Sequence, residues 1–282
     1  MLSRSGALSY EEIARLKQVS ASMGLMLETS SDRLSAKGGP HFGSPDKVPA
    51  VRLRTIEDAG RLAVPFTTGI LVGIGETDRE RAESLLAIRT LARRYGHIQE
   101  VIVQNFRAKP GTAMRGAPEP DEETFLAAVA TARVLLGPGV CVQAPPNLSD
   151  PAQQLRLLDA GIGDWGGVSP VTPDHVNPER PWPAIDLLAE RTAERGFRLR
   201  ERLAIHPTFA ARPDPFVAAR MRAPLAALLG PDGLAADRLA EPIPWQDPDV
   251  ALKPREIALE FAKAEGVGLR ADAEEEIGRA HV

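Results

Sequence analysis

The sequence predicts an α/β protein built on a parallel sheet, either a (β/α) barrel or an open doubly wound sheet. Two observations carry that reading. Short apolar runs alternate with amphipathic helical stretches along the first 165 or so residues, which means right-handed βαβ units. The polar and glycine-rich residues fall just after the apolar runs, at Glu28, Gly73 to Glu76, Asn105 to Lys109, Asn147 and Asp164 to Ser169. In either fold that edge, the C-terminal end of the strands, carries the site.

The elements follow in order. SYEEIARLKQVS opens with a capping box, Ser9 and Glu12, and continues with helical spacing through Ile13, Leu16 and Val19. MGLMLE (23–28) reads as a short buried strand ending in a carboxylate. A Gly-, Pro- and Ser-rich loop leads to a helix in VPAVRLRTIEDAGRLA and a strand in VPFTTGILVGIG. Thr77 and Glu80 form a second capping box before the helix to Tyr95. IQEVIVQNF is a strand and EPDEETFLAAVATARVLLG a helix. VCVQAPPN, a helix near 150–160 and IGDWGGVS repeat the alternation more weakly. Beyond about residue 205 the chain is rich in proline and reads as a lid or tail, 206–275, with two more helices.

The bulk numbers narrow the function. With 282 residues, 43% hydrophobic, the chain can bury a substantial core. A net charge of −4 and no basic patch argue against nucleic acid as partner. No apolar stretch is long enough for a membrane helix, and the N-terminus lacks a signal-peptide core, so a cytoplasmic protein acting on a small molecule is expected. The single cysteine, Cys141, rules out an internal disulfide and a cysteine-built metal site, and reads as a buried strand residue.

GILVGIGE (69–76) invites a phosphate-cradle reading, but it fits poorly. The third glycine of a dinucleotide fingerprint is replaced by a capping threonine, and the Lys-Ser/Thr pair of a P-loop is absent. On these eight residues alone the better reading is a Gly-rich strand-to-helix turn.

Six segments in order change that weighting: MGLMLETSSDRL, GGPHFGSPDK, VPFTTGILVGIGET, EVIVQNFRAKPGTAM, QAPPNL and DWGGVSPVTPDHVNPERPWP. Together, from about Ser9 to about Thr208, they resemble the 7,8-didemethyl-8-hydroxy-5-deazariboflavin (FO) synthase family of radical S-adenosylmethionine (radical SAM) enzymes, which make the deazaflavin core of coenzyme factor 420. The resemblance implies a TIM-type radical SAM barrel over residues 1–205. It implies that a G-x-I-x-G-x-x-E strand, matched by Gly69, Leu71 (for isoleucine), Gly73 and Glu76, lies against the cofactor's adenine. Glu28 is implied to contact its ribose or methionine part.

The implied reaction is ring closure with ammonia release, started by a 5′-deoxyadenosyl radical acting on a hydroxybenzyl adduct of a ribityl-aminouracil. It needs a 4Fe-4S cluster on a C-x-x-x-C-x-x-C loop, which this chain lacks. By the same resemblance Met1 falls near the third β/α unit, so the first units are expected to be missing. The last residues, 276–282 (EIGRAHV), match the in-frame translation of a sequencing adapter and are expected to be an artefact. A second synthase half, fused or separate, is an implied partner.

For the substrate, QNFRAKPGT offers Asn105 and Arg107, and strand alternation keeps Gln104 and Asn105 from facing the same side unless the strand has ended. Asn147 follows the next strand. The stiff loop DWGGVSPVTPDHVNPERPWP supplies Asp164, Ser169, Asp174, His175 and Asn177. His175 and Asp164 are the expected catalytic residues, and His175, which titrates near neutrality, is the one suited to move a proton during ring closure or amine loss. His41 has a weaker claim. A different barrel enzyme fits less well, because the strands lack an aldolase lysine and the five histidines are scattered. A non-catalytic binding protein is the alternative from another class.

Overall fold

The computed structural model describes residues 8–169, 174 and 177–236. These residues lie within one compact unit, residues 1–237; the remainder of the proline-rich extension and the terminal EIGRAHV fall outside the described residues.

Four parallel strands form one sheet in sequence order: β1 (Met23–Gly24), β2 (Phe66–Val72), β3 (Ile98–Asn105) and β4 (Cys141–Gln143). The β1 run continues irregularly, with Glu28 bridged to Ile70, and Asp164 bridges to Gln143 beyond β4. Among the described residues the sheet does not close into a barrel; the α/β class and the parallel order are as the alternation predicts.

Helices α1 (Tyr10–Lys17), α2 (Pro49–Arg61), α3 (Asp78–Tyr95), α4 (Glu122–Leu136) and α5 (Pro151–Asp159) connect and cover the strands. Both sequence-read capping boxes form. Ser9 accepts from the Glu12 amide, and Thr77 from the Glu80 amide, which satisfies the orphan N–H groups of each first turn. Further on come α6 (Ile185–Glu194) and three short helices where two were expected, α7 (Pro207–Ala210), α8 (Pro213–Phe216) and α9 (Ala219–Ala226). No helix among the described residues is long and apolar enough to cross a membrane.

Strand alternation sorts the two faces of the sheet. Ile70, Val72, Val101 and Val103 pack with Ile56 of α2, Leu85 and Ile88 of α3, and Phe125 and Val129 of α4 in the main apolar core. The register places Thr67, Gly69 and Leu71 beside Glu100, Ile102 and Gln104, and these beside Cys141 and Gln143, on the other face. The segment after α6 reaches this second face, where Arg202 pairs with Glu100; a register shift beside Gln99 turns its amide toward Thr67, so that Nε2 donates to the Ala204 carbonyl and Oε1 accepts from the His206 amide. A second apolar cluster, Ile205, Phe209, Phe216, Val217 and Leu225, anchors that segment.

GILVGIGE is a tight strand-to-helix turn. Gly73 and Gly75 have φ of 95° and 101°, a region other residues enter only under strain. A Cβ on Gly73 would lie 2.6 Å from Pro120 Cδ. Gly73→Ala is therefore expected to lower stability by about 2–3 kcal/mol, read from urea denaturation.

Candidate functional site

Glu28 is the charged hub of the strand ends. It is one of two non-glycine residues among those described with positive φ, at 63°. Its amide donates to the Gly69 carbonyl and its own carbonyl accepts from Leu71, so the backbone is pinned to β2 from both sides. The carboxylate is 13% exposed and receives three basic groups: His41 Nε2 at 2.8 Å, Arg52 Nη1 at 2.8 Å, and Lys47 Nζ at 3.1 Å from each oxygen. Burial alone would raise its pKa; the His41 hydrogen bond and the charges of Arg52 and Lys47 outweigh this and hold it at about 2. Arg52 is 6% exposed and also donates to the Asp46 carbonyl, whereas Lys47 is 35% exposed. The Glu28 carboxylate is thus fixed as an anion, with one half-open cation beside it.

Glu76 has a different position. Its side chain is 2% exposed and accepts from the Gly73 and Ile74 amides at 2.8 and 2.9 Å, and from Arg81 at 2.8 Å. The carboxylate is spent in holding the turn. Gly69 also has an internal reason: a Cβ there would lie 2.2 Å from the Ile102 carbonyl oxygen and 2.7 Å from Met26 Sδ. Leu71 is half-buried and packs beside Leu34, Ile74 and Phe106.

The substrate candidates form a second group around the turn after β4. Asn105 is buried, on the Val101–Val103 side, and donates from Nδ2 to the Leu148 carbonyl at 2.8 Å; Gln104 takes the opposite, half-exposed face. Arg107 bonds the same carbonyl and pairs with Glu119 at 2.6 Å. Asn147 Nδ2 donates to Asp174 Oδ2 at 2.8 Å and to the Arg180 carbonyl at 3.0 Å. Asn177 Nδ2 donates to the same Asp174 oxygen, and its Oδ1 accepts from Lys109 at 2.7 Å. Residues distant in sequence, Lys109, Asn147, Asp174 and Asn177, therefore form one polar chain. Among the described residues, three buried polar atoms of these side chains have no hydrogen-bond partner: Asn105 Oδ1, Arg107 Nε and Asn147 Oδ1.

Asp164 stands apart from this group. Its carboxylate bonds Arg202 and the Gly166 amide, and Arg202 also pairs with buried Glu100 at 2.7 Å. Ser169 is half-buried and partnered. His175 lies outside the described residues. Trp165 is a core residue whose indole N–H reaches Thr192 Oγ1 at 3.2 Å. Burial, then the charges of Asp164 and Glu100, push the Cys141 thiol up to about 12, which fits a strand residue rather than a nucleophile.

Sequence reasoning missed Lys47 and Arg52 and underweighted His41. All three lie on the loop and helix start after β1, and the available signal was a Pro-flanked basic stretch, HFGSPDKVPAVR.

The arrangement is that of an α/β protein with its polar site along the C-terminal edge of a parallel sheet. A solved FeFe-hydrogenase maturase, HydG from Carboxydothermus hydrogenoformans, shares the fold: TM-score 0.56 at 19% identity, over 70% of this chain and 47% of that one. No family model matches the chain. The FO synthase of Streptomyces avermitilis is 58% identical over 249 residues, and that of Nocardia farcinica 60% over 247; these cover 87% and 86% of this chain. The 7,8-didemethyl-8-hydroxy-5-deazariboflavin synthase of Methanopyrus kandleri is 55% identical over 210 residues, 74% of this chain and 62% of its own length. The chain is thus similar to FO synthases at 55–60% identity over most of its length. It spans 29% of the length of the Streptomyces and Nocardia proteins.

Proposed function

We propose that this chain is the substrate- and S-adenosylmethionine-facing part of an FO synthase, an arc of a radical SAM barrel that takes part in closing the deazaflavin ring with release of ammonia. The observation that carries the reading is the Glu28 hub, since it sets a fixed anion and a half-open cation side by side at the strand ends. S-adenosylmethionine offers complementary groups. Its ribose hydroxyls donate to a carboxylate, and its own carboxylate pairs with an ammonium. Lys47 is the residue suited to that carboxylate, while Arg52 and His41 hold Glu28 in place. Leu71 supplies apolar surface for the adenine. Gly73 and Glu76 serve by shaping the turn, and Gly69 by letting β2 approach β3 and Met26.

In the family protein, S-adenosylmethionine and a 4Fe-4S cluster would supply the radical chemistry, and Glu28, Lys47 and Leu71 are the residues of this chain that would hold the cofactor. The residues present do not fit the cluster, because three thiolates are needed and Cys141 is the sole cysteine.

At the substrate end, the unpartnered Asn105 Oδ1, Arg107 Nε and Asn147 Oδ1 offer two acceptors and a donor, the set that a uracil edge or a ribityl hydroxyl would satisfy. Asp174, Asn177 and Lys109 hold Asn147 in place, and Ser169 lies on the same post-β4 segment. His175, from its place in that loop, is our candidate for proton movement during loss of the amine. Asp164 is tied to Arg202 and positions the sheet rather than the substrate. Cytoplasmic location and a second synthase half as partner belong to the same proposal.

The test is a chimera in which this chain replaces the matching segment of the Streptomyces avermitilis FO synthase. Deazaflavin fluorescence should accumulate, and Asn147→Ala should reduce product more than it reduces S-adenosylmethionine cleavage. A soluble, cluster-loaded chimera that cleaves the cofactor but forms no product would refute the substrate assignment. One that binds no cofactor would refute the Glu28 assignment.

A further inference from the structure

At the other end of the sheet lies a second cluster that the proposed reaction does not use. Glu100 is the third residue of β3, about 17 Å along the strand from Asn105 at the site edge. Around it gather Cys141 from the start of β4, Asp164 from the bridge beyond β4, and His206 just before α7.

We propose that Glu100, Cys141, Asp164 and His206 form a structural site for one divalent transition ion of the zinc or cobalt type. One ligand atom from each lies within 4.8 Å of all the others. Around a tetrahedral ion with bonds of about 2.0–2.3 Å, neighbouring donors sit about 3.3–3.8 Å apart, so each needs to move inward by about 1 Å or less. A mixed set of thiolate, imidazole and carboxylates suits borderline ions and disfavours magnesium or calcium.

The second observation is His206. It is 9% exposed, its Nε2 has no hydrogen-bond partner among the described residues, and that atom points into the cluster, 3.6 Å from Glu100 Oε1 and 3.9 Å from Asp164 Oδ2. Such an orphan nitrogen is costly unless something binds it. The Cys141 sulfur has only a long 3.9 Å contact to the Val142 carbonyl. Both carboxylates are already oriented by their outer atoms: Thr67 Oγ1 donates to Glu100 Oε2 at 3.2 Å, and the Gly166 amide to Asp164 Oδ1 at 2.6 Å. That is the outer support that metal-binding carboxylates have.

Arg202 donates to Glu100 Oε1 and Asp164 Oδ2, the same two oxygens an ion would take. Each oxygen keeps a second lone pair, so sharing is feasible. Charge favours it too. Two carboxylates and Arg202 leave the buried group one charge negative; a divalent ion that displaces the thiol proton brings it to zero.

The single cysteine makes the test unambiguous, because a thiolate-to-cobalt charge-transfer band can come only from Cys141. The purified chain is titrated with Co²⁺ alone in the absence of thiol reductants, then with Zn²⁺ as competitor. Expected are one cobalt per chain, a near-ultraviolet charge-transfer band, its loss in Cys141→Ser, and at least tenfold weaker binding in His206→Ala. The site also predicts a zinc-dependent rise in melting temperature in the unmodified chain, which needs no variant to fold. Absence of the charge-transfer band at saturating cobalt overturns the proposal, as does cobalt binding with no contribution from Cys141.

Discussion

Glu28→Gln is expected to destabilise the chain by about 3 kcal/mol at neutral pH and to flatten its acid denaturation limb. The carboxyl is held at about 2 against an ordinary value near 4.3, and each unit of displacement is worth about 1.4 kcal/mol. The sign follows from linkage. A group whose folded pKa lies below its unfolded value contributes stability that is full above the unfolded pKa and is lost as the pH falls toward the folded one. For Glu28 the loss therefore runs from about pH 4.3 down to about pH 2. Glutamine keeps the shape and one acceptor oxygen but removes the anion, which leaves buried Arg52 facing a neutral amide with Lys47 close by. Glu28→Ala should cost more, about 3–5 kcal/mol, because buried Arg52 then loses its carboxylate partner and keeps the neutral Met26 and Asp46 carbonyls as acceptors. Urea melts between about pH 7 and about pH 3 separate the cases. The unmodified protein should lose stability toward low pH more steeply than Glu28→Gln. Equal slopes would mean that the carboxylate is not held by its three basic neighbours.

The comparison of sequence with structure turns on this same hub. The strands, both capping boxes and the glycine turn were legible because each rests on local chemistry: apolar runs, Ser9/Glu12 and Thr77/Glu80 spacing, and glycines where φ is positive. Glu28 was legible as a strand-end carboxylate. Its partners were not, since His41, Lys47 and Arg52 reach it from 13, 19 and 24 residues away through a loop with no periodicity. The joining of Lys109 to Asn177, 68 residues on, is likewise set by packing. Glu76 shows the converse. Its place in a motif suggested a ligand contact, yet the two free amides of its own turn and Arg81 claim both oxygens. Asp164 was singled out as a catalytic candidate in a loop, when its position across β4 from Glu100 gives it to Arg202.

Arg202→Met is expected to be the other costly change. Glu100 is 3% exposed and Asp164 13%, and Arg202 is the guanidinium that bonds both. Removing it leaves two carboxylates close together with no cation between them, where a broken buried pair typically costs about 3–5 kcal/mol. The loss should exceed that of a surface pair such as Arg79–Glu83, which spans two exposed side chains on α3 and is worth well under about 1 kcal/mol. A second substitution separates contact from charge. If the penalty is the unpaired charge, Arg202→Met with Glu100→Met should recover much of the stability, since apolar side chains of similar volume often replace a buried ion pair at little cost. If Arg202 acts mainly through packing of its stem against the sheet, the double variant will be no better than the single one. Zinc adds a third arm: an ion in the Glu100, Cys141, Asp164 and His206 cluster supplies the missing positive charge, so it should raise the melting temperature of Arg202→Met more than that of the unmodified chain.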